Sequence, residues 1–325
     1  MENMRKKMKK KLGVLSLLIS GLFILSPEIS NAADIETIET MDYKTLAIDE
    51  DLTIKKYSDG RIEGISNPAS LNEEQKEEFL NSMLFTDEEI EKMPEEMKDE
   101  IIAEGGVKVD IEEEEMLEKY QDLNGVVHEV TDENRDEINA LKEADLKKIN
   151  ADKIGTMSMG TVKDGAFNGA SALVYIGKTA NAKEFKYSFK TTYLWTSAPV
   201  NAFWDTISQA YAGNTTPVGS NGKMEWLDTH NRLNSENIKV DQLSLNGSTA
   251  KVALQPYSNR QNGYIATEVR IPVSEAGKTG VFANGYAHAY TPVPFGVTIG
   301  NLSFNFTGVG PSYSWRSSFI IGKSS

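Results

Sequence analysis

The pattern of apolar and polar positions divides the 325 residues into three stretches. Leu12 to Leu25 reads LGVLSLLISGLFIL, an uncharged apolar run behind a basic start. Between about residue 70 and residue 150, apolar residues recur at helical spacing on narrow faces. Beyond Gly155 the period falls to two, which is the spacing of strands with one buried face.

In the middle stretch, Leu52 to Tyr57 and Arg61 to Ile65 flank Ser58-Asp59-Gly60, which predicts a small hairpin. Ser70-Leu71-Asn72-Glu73 and Thr86-Asp87-Glu88-Glu89 read as capping boxes that start two short helices. Pro94 suits the first turn of a third helix, running through Ile101 and Ile102 and stopping at Gly105-Gly106. After Thr131, a further helix places Ile138, Leu141, Leu146 and Ile149 on one face.

The last stretch is aromatic and alternating. Phe185, Tyr187, Phe189, Tyr193 and Trp195 oppose Lys186, Ser188, Lys190 and Thr192, as in a strand. Val240 to Leu245 and Ser248 to Leu254 form a hairpin about Asn246-Gly247. Further strands are expected at residues 156–163, 172–178, 264–273, 281–290, 297–307 and 313–321. One helix is expected to interrupt them, because Val200, Phe203, Trp204, Ile207 and Tyr211 follow helical spacing up to Gly213, with a polar loop from Gly213 to Gly222. The fold class is therefore α+β: an acidic helical N-terminal region, then an all-β antiparallel sandwich or jelly roll with one helix.

Charge sharpens these boundaries. Residues 1–33 carry 6 Lys+Arg against 2 Asp+Glu, residues 34–155 carry 14 against 37, and residues 156–325 carry 14 against 9. The basic start and apolar run form a secretory n-region and h-region. At ~1.5 Å per residue the run covers about 21 Å, short of the ~30 Å a membrane span needs. Pro27 and the small residues that follow place cleavage after Ala32 or Ala33. The long lysine-rich n-region resembles secretion signals of Gram-positive bacteria, so an extracellular protein without a transmembrane anchor is expected. The expected organisation is a signal peptide over 1–32, an acidic region over 33–155 and a β-sandwich over 156–325.

Only five aromatic residues lie in the acidic stretch, too few to bury much surface alone. It is expected to dock on the β region, as an accessory or as a propeptide with processing at Lys147, Lys148 or Lys153. The run Glu112 to Glu115 reads as solvated charge. A net charge of −14 repels phosphate backbones and argues against nucleic acid as a partner. The absence of cysteine excludes disulfides, thiol nucleophiles and Cys-based metal sites.

Catalytic patterns are sparse. His128 lacks the second histidine of a zinc HExxH, His230 sits with Asp228 in a polar loop, and His288 alternates with Phe282, Tyr286 and Tyr290 on a strand. No nucleophile elbow or phosphate-binding glycine loop occurs. Neither a metal nor a cofactor is expected. Trp226, flanked by Glu225 and Asp228, is the best candidate for an exposed stacking residue, joined by Tyr286, His288 and Tyr290 as ligand-binding candidates. The reading that results is a secreted, non-enzymatic binding protein for a cell-surface or glycan ligand. The alternatives are a toxin or antimicrobial held inactive by the acidic segment, and a polysaccharide hydrolase working through two of the carboxylates.

Overall fold

The computed structural model describes residues 42–151 and 167–322, apart from residues 198, 200, 245 and 259. Ala32, Ala33, Lys153 and the strand expected at 156–163 lie outside the described residues. The acidic region supplies β1 (Tyr43–Ala47), β2 (Thr53–Tyr57), α1 (Glu73–Ser82), α2 (Asp87–Lys92), α3 (Glu95–Glu104), β3 (Val107–Lys108), β4 (Glu112–Glu113), β5 (Leu117–Gln121), β6 (Val127–Glu129) and α4 (Arg135–Ala151).

Local chemistry accounts for these boundaries. Thr86 and Glu89 form the capping box of α2 as expected. The first box lies two residues later than read: Asn72 accepts from the Gln75 amide and the Gln75 side chain returns the bond, while Ser70 sits in a preceding 3-10 turn. An amide side chain at Asn72 serves as well as the hydroxyl, and Gln75 replaces Glu73 as its partner. α3 follows Pro94 and ends at Gly105, whose φ of 67° suits glycine. The turn after Tyr57 forms, with the Glu63 amide donating to the Lys55 carbonyl at 2.9 Å, but β2 pairs along its length with β1.

The second half supplies β7 (Phe167–Lys178), β8 (Glu184–Trp195), β9 (Trp204–Tyr211), β10 (Thr216–Leu227), β11 (Leu233–Asn237), β12 (Val240–Ser244), β13 (Gly247–Ala253), β14 (Gln261–Pro272), β15 (Thr279–Ala287), β16 (Gly296–Ile299), β17 (Phe304–Thr307) and β18 (Gly310–Ile320). A six-stranded sheet runs β11-β10-β14-β8-β7-β3. An eight-stranded sheet runs β12-β13-β9-β15-β18-β5-β6, with β4 also on β18. All pairings are antiparallel, and β16 and β17 form a separate two-stranded sheet.

Three expectations are corrected here. Where a helix is read over Val200 to Tyr211, Trp204–Tyr211 form β9, an interior strand of the eight-stranded sheet, and Val200 lies outside the described residues. The inward positions of β9 are Asp205, Ile207, Gln209 and Tyr211; two polar residues in the core conceal the period of two and leave an accidental helical spacing. The loop read from Gly213 to Gly222 is mostly β10, which begins at Thr216. The strand read over 297–307 is two strands, reversed through a turn in which Leu302 has a φ of 53°.

The main core lies between the sheets. Tyr187, Phe189, Val269 and Ile271 of the six-stranded sheet meet Tyr211, Phe282 and Phe319 of the other, and farther along Tyr193, Trp195 and Ile265 meet Ile207, Val252 and Tyr286. Helices α1 to α3 cover the outer face of the six-stranded sheet, where Phe79, Leu80, Met97, Ile101 and Ile102 pack on Val174, Tyr264 and Ala266. Residues 107–121 lace the two sheets together along one side. β3 pairs with β7, then β4 and β5 pair with β18 of the opposite sheet. Helix α4 closes over Tyr120 and Tyr290 with Ile138 and Leu146, and Leu141 and Ile149 pack at the margin, as the spacing predicted.

Candidate functional site

Strand register gathers four connections at one end of the sandwich. Trp195 pairs with Gln261, Gln261 with Trp226 and Leu227 with Leu233 in one sheet; Trp204 pairs with Ala253 and Thr206 with Ala287 in the other. The described residues of the connections 196–203, 228–232, 254–260 and 288–295 therefore share this end. On these connections Tyr257 is 81% exposed and Val293 70%, and at the adjoining first residues of β11 and β9 Leu233 is 53% and Trp204 47% exposed. Beside them a groove of about 130 Å³ is lined by Met93, Glu95, Trp226, Leu227, Leu233 and Arg260.

Beneath the exposed residues lies a closed polar network. The Asp205 carboxylate accepts from the Tyr286 hydroxyl, from the Ala289 amide at 3.3 Å, and lies 2.8 Å from Nδ1 of His288. Trp195 Nε1 donates to the Tyr286 oxygen at 2.9 Å. Asp205, Tyr286 and His288 are buried. Burial, reinforced by the Asp205 charge, pushes the Tyr286 hydroxyl well above the ordinary tyrosine range. The network ties the two sheets together at this end and presents no reactive atom to solvent.

Of the residues singled out in the sequence, Trp226 is half-buried at the groove, whereas Tyr286, His288 and Tyr290 are buried below it. Lys147 and Lys148 are exposed on α4, within regular helix. His230 is exposed in the 228–232 turn; there the Arg232 amide, the His230 amide and the Arg232 side chain bond to Asp228 and hold its carboxyl down at about 2. His128 is half-buried, 3.2 Å from Asp122. Among the described residues, no group of three or more His, Asp or Glu side chains gathers for a metal. Trp204 and Tyr257 are not among the ligand-binding candidates expected from the sequence: helical spacing puts Trp204 on a helix among the residues expected in the core, and Tyr257 belongs to no periodic segment. The turn-forming neighbours Pro256 and Ser258 are the one sequence signal that would have set Tyr257 in an exposed bend.

The acidic helices meet the six-stranded sheet beside this end through a stripe on α3. Glu96, Glu100 and Glu104 recur at i, i+4 and i+8 on one face. Lys190, fully buried, lies 2.6 Å from Glu100 and 3.4 Å from Glu104. Tyr264 donates to Glu100 at 2.8 Å, Ser235 to Glu96 at 2.8 Å, and Lys223 pairs with Glu96. α3 has no cap from its own side chains; Glu225 of β10 accepts from the Glu95 and Glu96 amides at 3.2 and 2.5 Å. Burial raises the Glu225 carboxyl above its usual range despite these bonds.

No family model matches the chain, and no curated protein matches it significantly. Solved structures align with parts of the chain. The collagen-binding subdomain of the Enterococcus faecalis surface protein ACE aligns over 37% of this chain and 82% of its own, at 6% identity and a TM-score of 0.25. The collagen-binding domain of a Staphylococcus aureus adhesin aligns over 49% and 99%, at 9% identity and 0.27. The Clostridium perfringens NetB toxin in its membrane-inserted form aligns over 48% and 95%, at 8% identity and 0.26. What those proteins bind is a property of those proteins.

Proposed function

We propose that the chain is a secreted, non-enzymatic binding protein that engages a cell-surface or extracellular glycan ligand through the loop end of its sandwich. The observation that carries this reading is that Tyr257 and Val293, on connections, and Trp204 and Leu233, at the starts of β9 and β11, are all exposed at the same end of the sandwich, which a buried network anchors. Large exposed apolar side chains on a rigid frame favour recognition, because little order has to be gained on binding. Secretion rests on the N-terminal basic and apolar runs. The acidic region acts here as an accessory held in place, since its strands complete both sheets and its helices cover Lys190. The toxin alternative requires that segment to leave, which would take β3 from one side of β7 and β4 and β5 from one side of β18.

The test is binding of the mature chain to a glycan array and to intact bacterial and host cell surfaces, beside the double variant Trp204→Ala, Tyr257→Ala. Saturable binding weakened at least tenfold in a variant of unchanged stability supports the reading. Binding unaffected by the two substitutions, or none to any surface, overturns it.

A further inference from the structure

The groove beside the loop end is built on the outer face of the six-stranded sheet. Residues directly opposite on antiparallel strands share a face, so the register fixes what meets there. Glu225 pairs with Asn262, and Leu227, next on the same face, pairs with Leu233. Glu225 turns outward to the amides of Glu95 and Glu96, and its neighbours of the same parity turn outward with it. Arg260 enters from the connection that carries Tyr257. Its carbonyl accepts from the Leu227 amide at 3.1 Å and from the Ser258 hydroxyl at 2.6 Å, which fixes where its side chain departs. Met93 and Glu95, on either side of Pro94, close the groove from the corner between α2 and α3.

Asn262 is the unusual member of this set. It is only 7% exposed, yet its side-chain amide has no hydrogen-bond partner among the described residues and opens into the groove. Folded chains pair nearly all such buried groups, because an unpaired one is costly; here a donor and an acceptor are left for an entering molecule. Arg260 is exposed, and its guanidinium also has no partner among the described residues. The other charges are already matched: Lys98 donates to Glu95 at 2.7 Å, and Glu225 caps α3. Two carboxylates set against Lys98 and Arg260 leave no net charge, which favours a neutral ligand over an anion. Met93, Leu227 and Leu233 supply an apolar wall. The groove, at about 130 Å³, has room for about ten waters at ~10 to 15 Å³ each, the bulk of one sugar residue.

We propose that the groove takes one N-acetylhexosamine residue of a neutral glycan, with Asn262 and Arg260 selecting its acetamido group. That group carries an N–H, a carbonyl and a methyl on one short arm. Asn262 accepts from the N–H, Arg260 donates to the carbonyl, and the methyl covers Met93 and Leu227. A plain hexose has a hydroxyl in place of this arm and would set it against the apolar wall without a partner. The proposal rests on the glycan reading of the loop end and gives that reading a ligand class. Leu233 belongs to both surfaces and Tyr257 shares a connection with Arg260, so the next sugar residues along the same glycan reach the exposed aromatics.

The experiment titrates the mature full-length chain with the methyl glycosides of N-acetylglucosamine, N-acetylgalactosamine and N-acetylmannosamine, each beside its parent hexoside, and follows binding by saturation-transfer NMR. At least one N-acetyl sugar is expected to bind saturably and at least tenfold more tightly than its parent, with the strongest transfer at the acetamido methyl. Asn262→Leu and Arg260→Gln are each expected to weaken that binding at least tenfold, and Lys251→Gln to leave it unchanged. Asn262→Leu removes no hydrogen bond within the chain, so its thermal midpoint is expected not to fall; Arg260→Gln, at an exposed residue, keeps the test open should Asn262→Leu fail to fold. Equal binding of N-acetyl and parent sugars, or binding untouched by Arg260→Gln, overturns the proposal. If glycans then still bind and Trp204→Ala, Tyr257→Ala abolishes it, the loop-end reading survives alone; if no glycan binds, both fall.

Discussion

Asp205 shows how much a single buried residue organises. It is the common acceptor for Tyr286, for the Ala289 amide and for the His288 ring, and it stands at an inward position that an apolar residue would ordinarily fill. Truncating it strands several buried donors at once, each with the cost of a polar group left in a dry interior. Asp205→Ala is expected to destabilise the chain by about 3 kcal/mol or more, and Tyr286→Phe by about 1 to 2 kcal/mol, measured by urea unfolding. The second network argues the same way. Nε2 of Gln209 donates to the Phe189 carbonyl at 3.1 Å and to Thr191 Oγ1 at 2.9 Å, and its oxygen accepts from Thr267 at 2.7 Å. An equal loss for Asp205→Ala and for the substitution of an exposed residue such as Lys251 would show that the network bears no load.

At the scale of elements, α3 is fixed by charge as well as by apolar contact. Burial alone would raise the Glu96 carboxyl, but bonds from Lys223 and Ser235 outweigh it and the net shift is downward. A folded-state value below the unfolded one, about 4.3 for glutamate, contributes stability above that pH and loses it as pH falls through the folded value. The difference in stability between wild type and Lys223→Met is therefore expected to shrink as pH drops below about 4, as followed by thermal unfolding across pH. The β16–β17 hairpin depends on absence of a side chain: a Cβ at Gly285 would meet Phe306 at 2.9 Å and Phe304 at 3.0 Å. Gly285→Val is expected to lift the hairpin, read as faster proteolytic cutting within residues 296–307 while the sandwich persists. These elements also show which parts of the fold were legible. At β8 the inward positions from Phe185 to Trp195 hold rings at all but Thr191, so a period of two stands out. At β9 two inward positions are polar because partners across the core satisfy them, and only tertiary structure reveals that. β3 and β4 have two residues each, too few for any pattern. The candidate site was legible only at Trp226, since exposure of Trp204 and Tyr257 depends on which loops share an end.

For the whole molecule, the charge boundary near residue 155 is not a boundary in the sheets, since strands from the acidic region complete both. Residues 156–325 produced alone are expected to aggregate, because the edges of β7 and β18 lose their partners and the apolar outer face under α1 to α3 is uncovered. Supplying residues 33–155 in trans during refolding is expected to restore a soluble species, checked by gel filtration. A folded, monomeric 156–325 fragment would show that the acidic region is dispensable. The lacing by residues 107–121 has a consequence for timing. β18 lies between β15 and β5, and Gly308, just before it, bonds to Gln121 across 187 residues of sequence. The eight-stranded sheet cannot close until nearly all the described chain is available, and pairings between distant residues form slowly. If the chain is exported as proposed, it would stay threadable through a narrow channel for most of its passage and would set only once β18 had arrived on the far side.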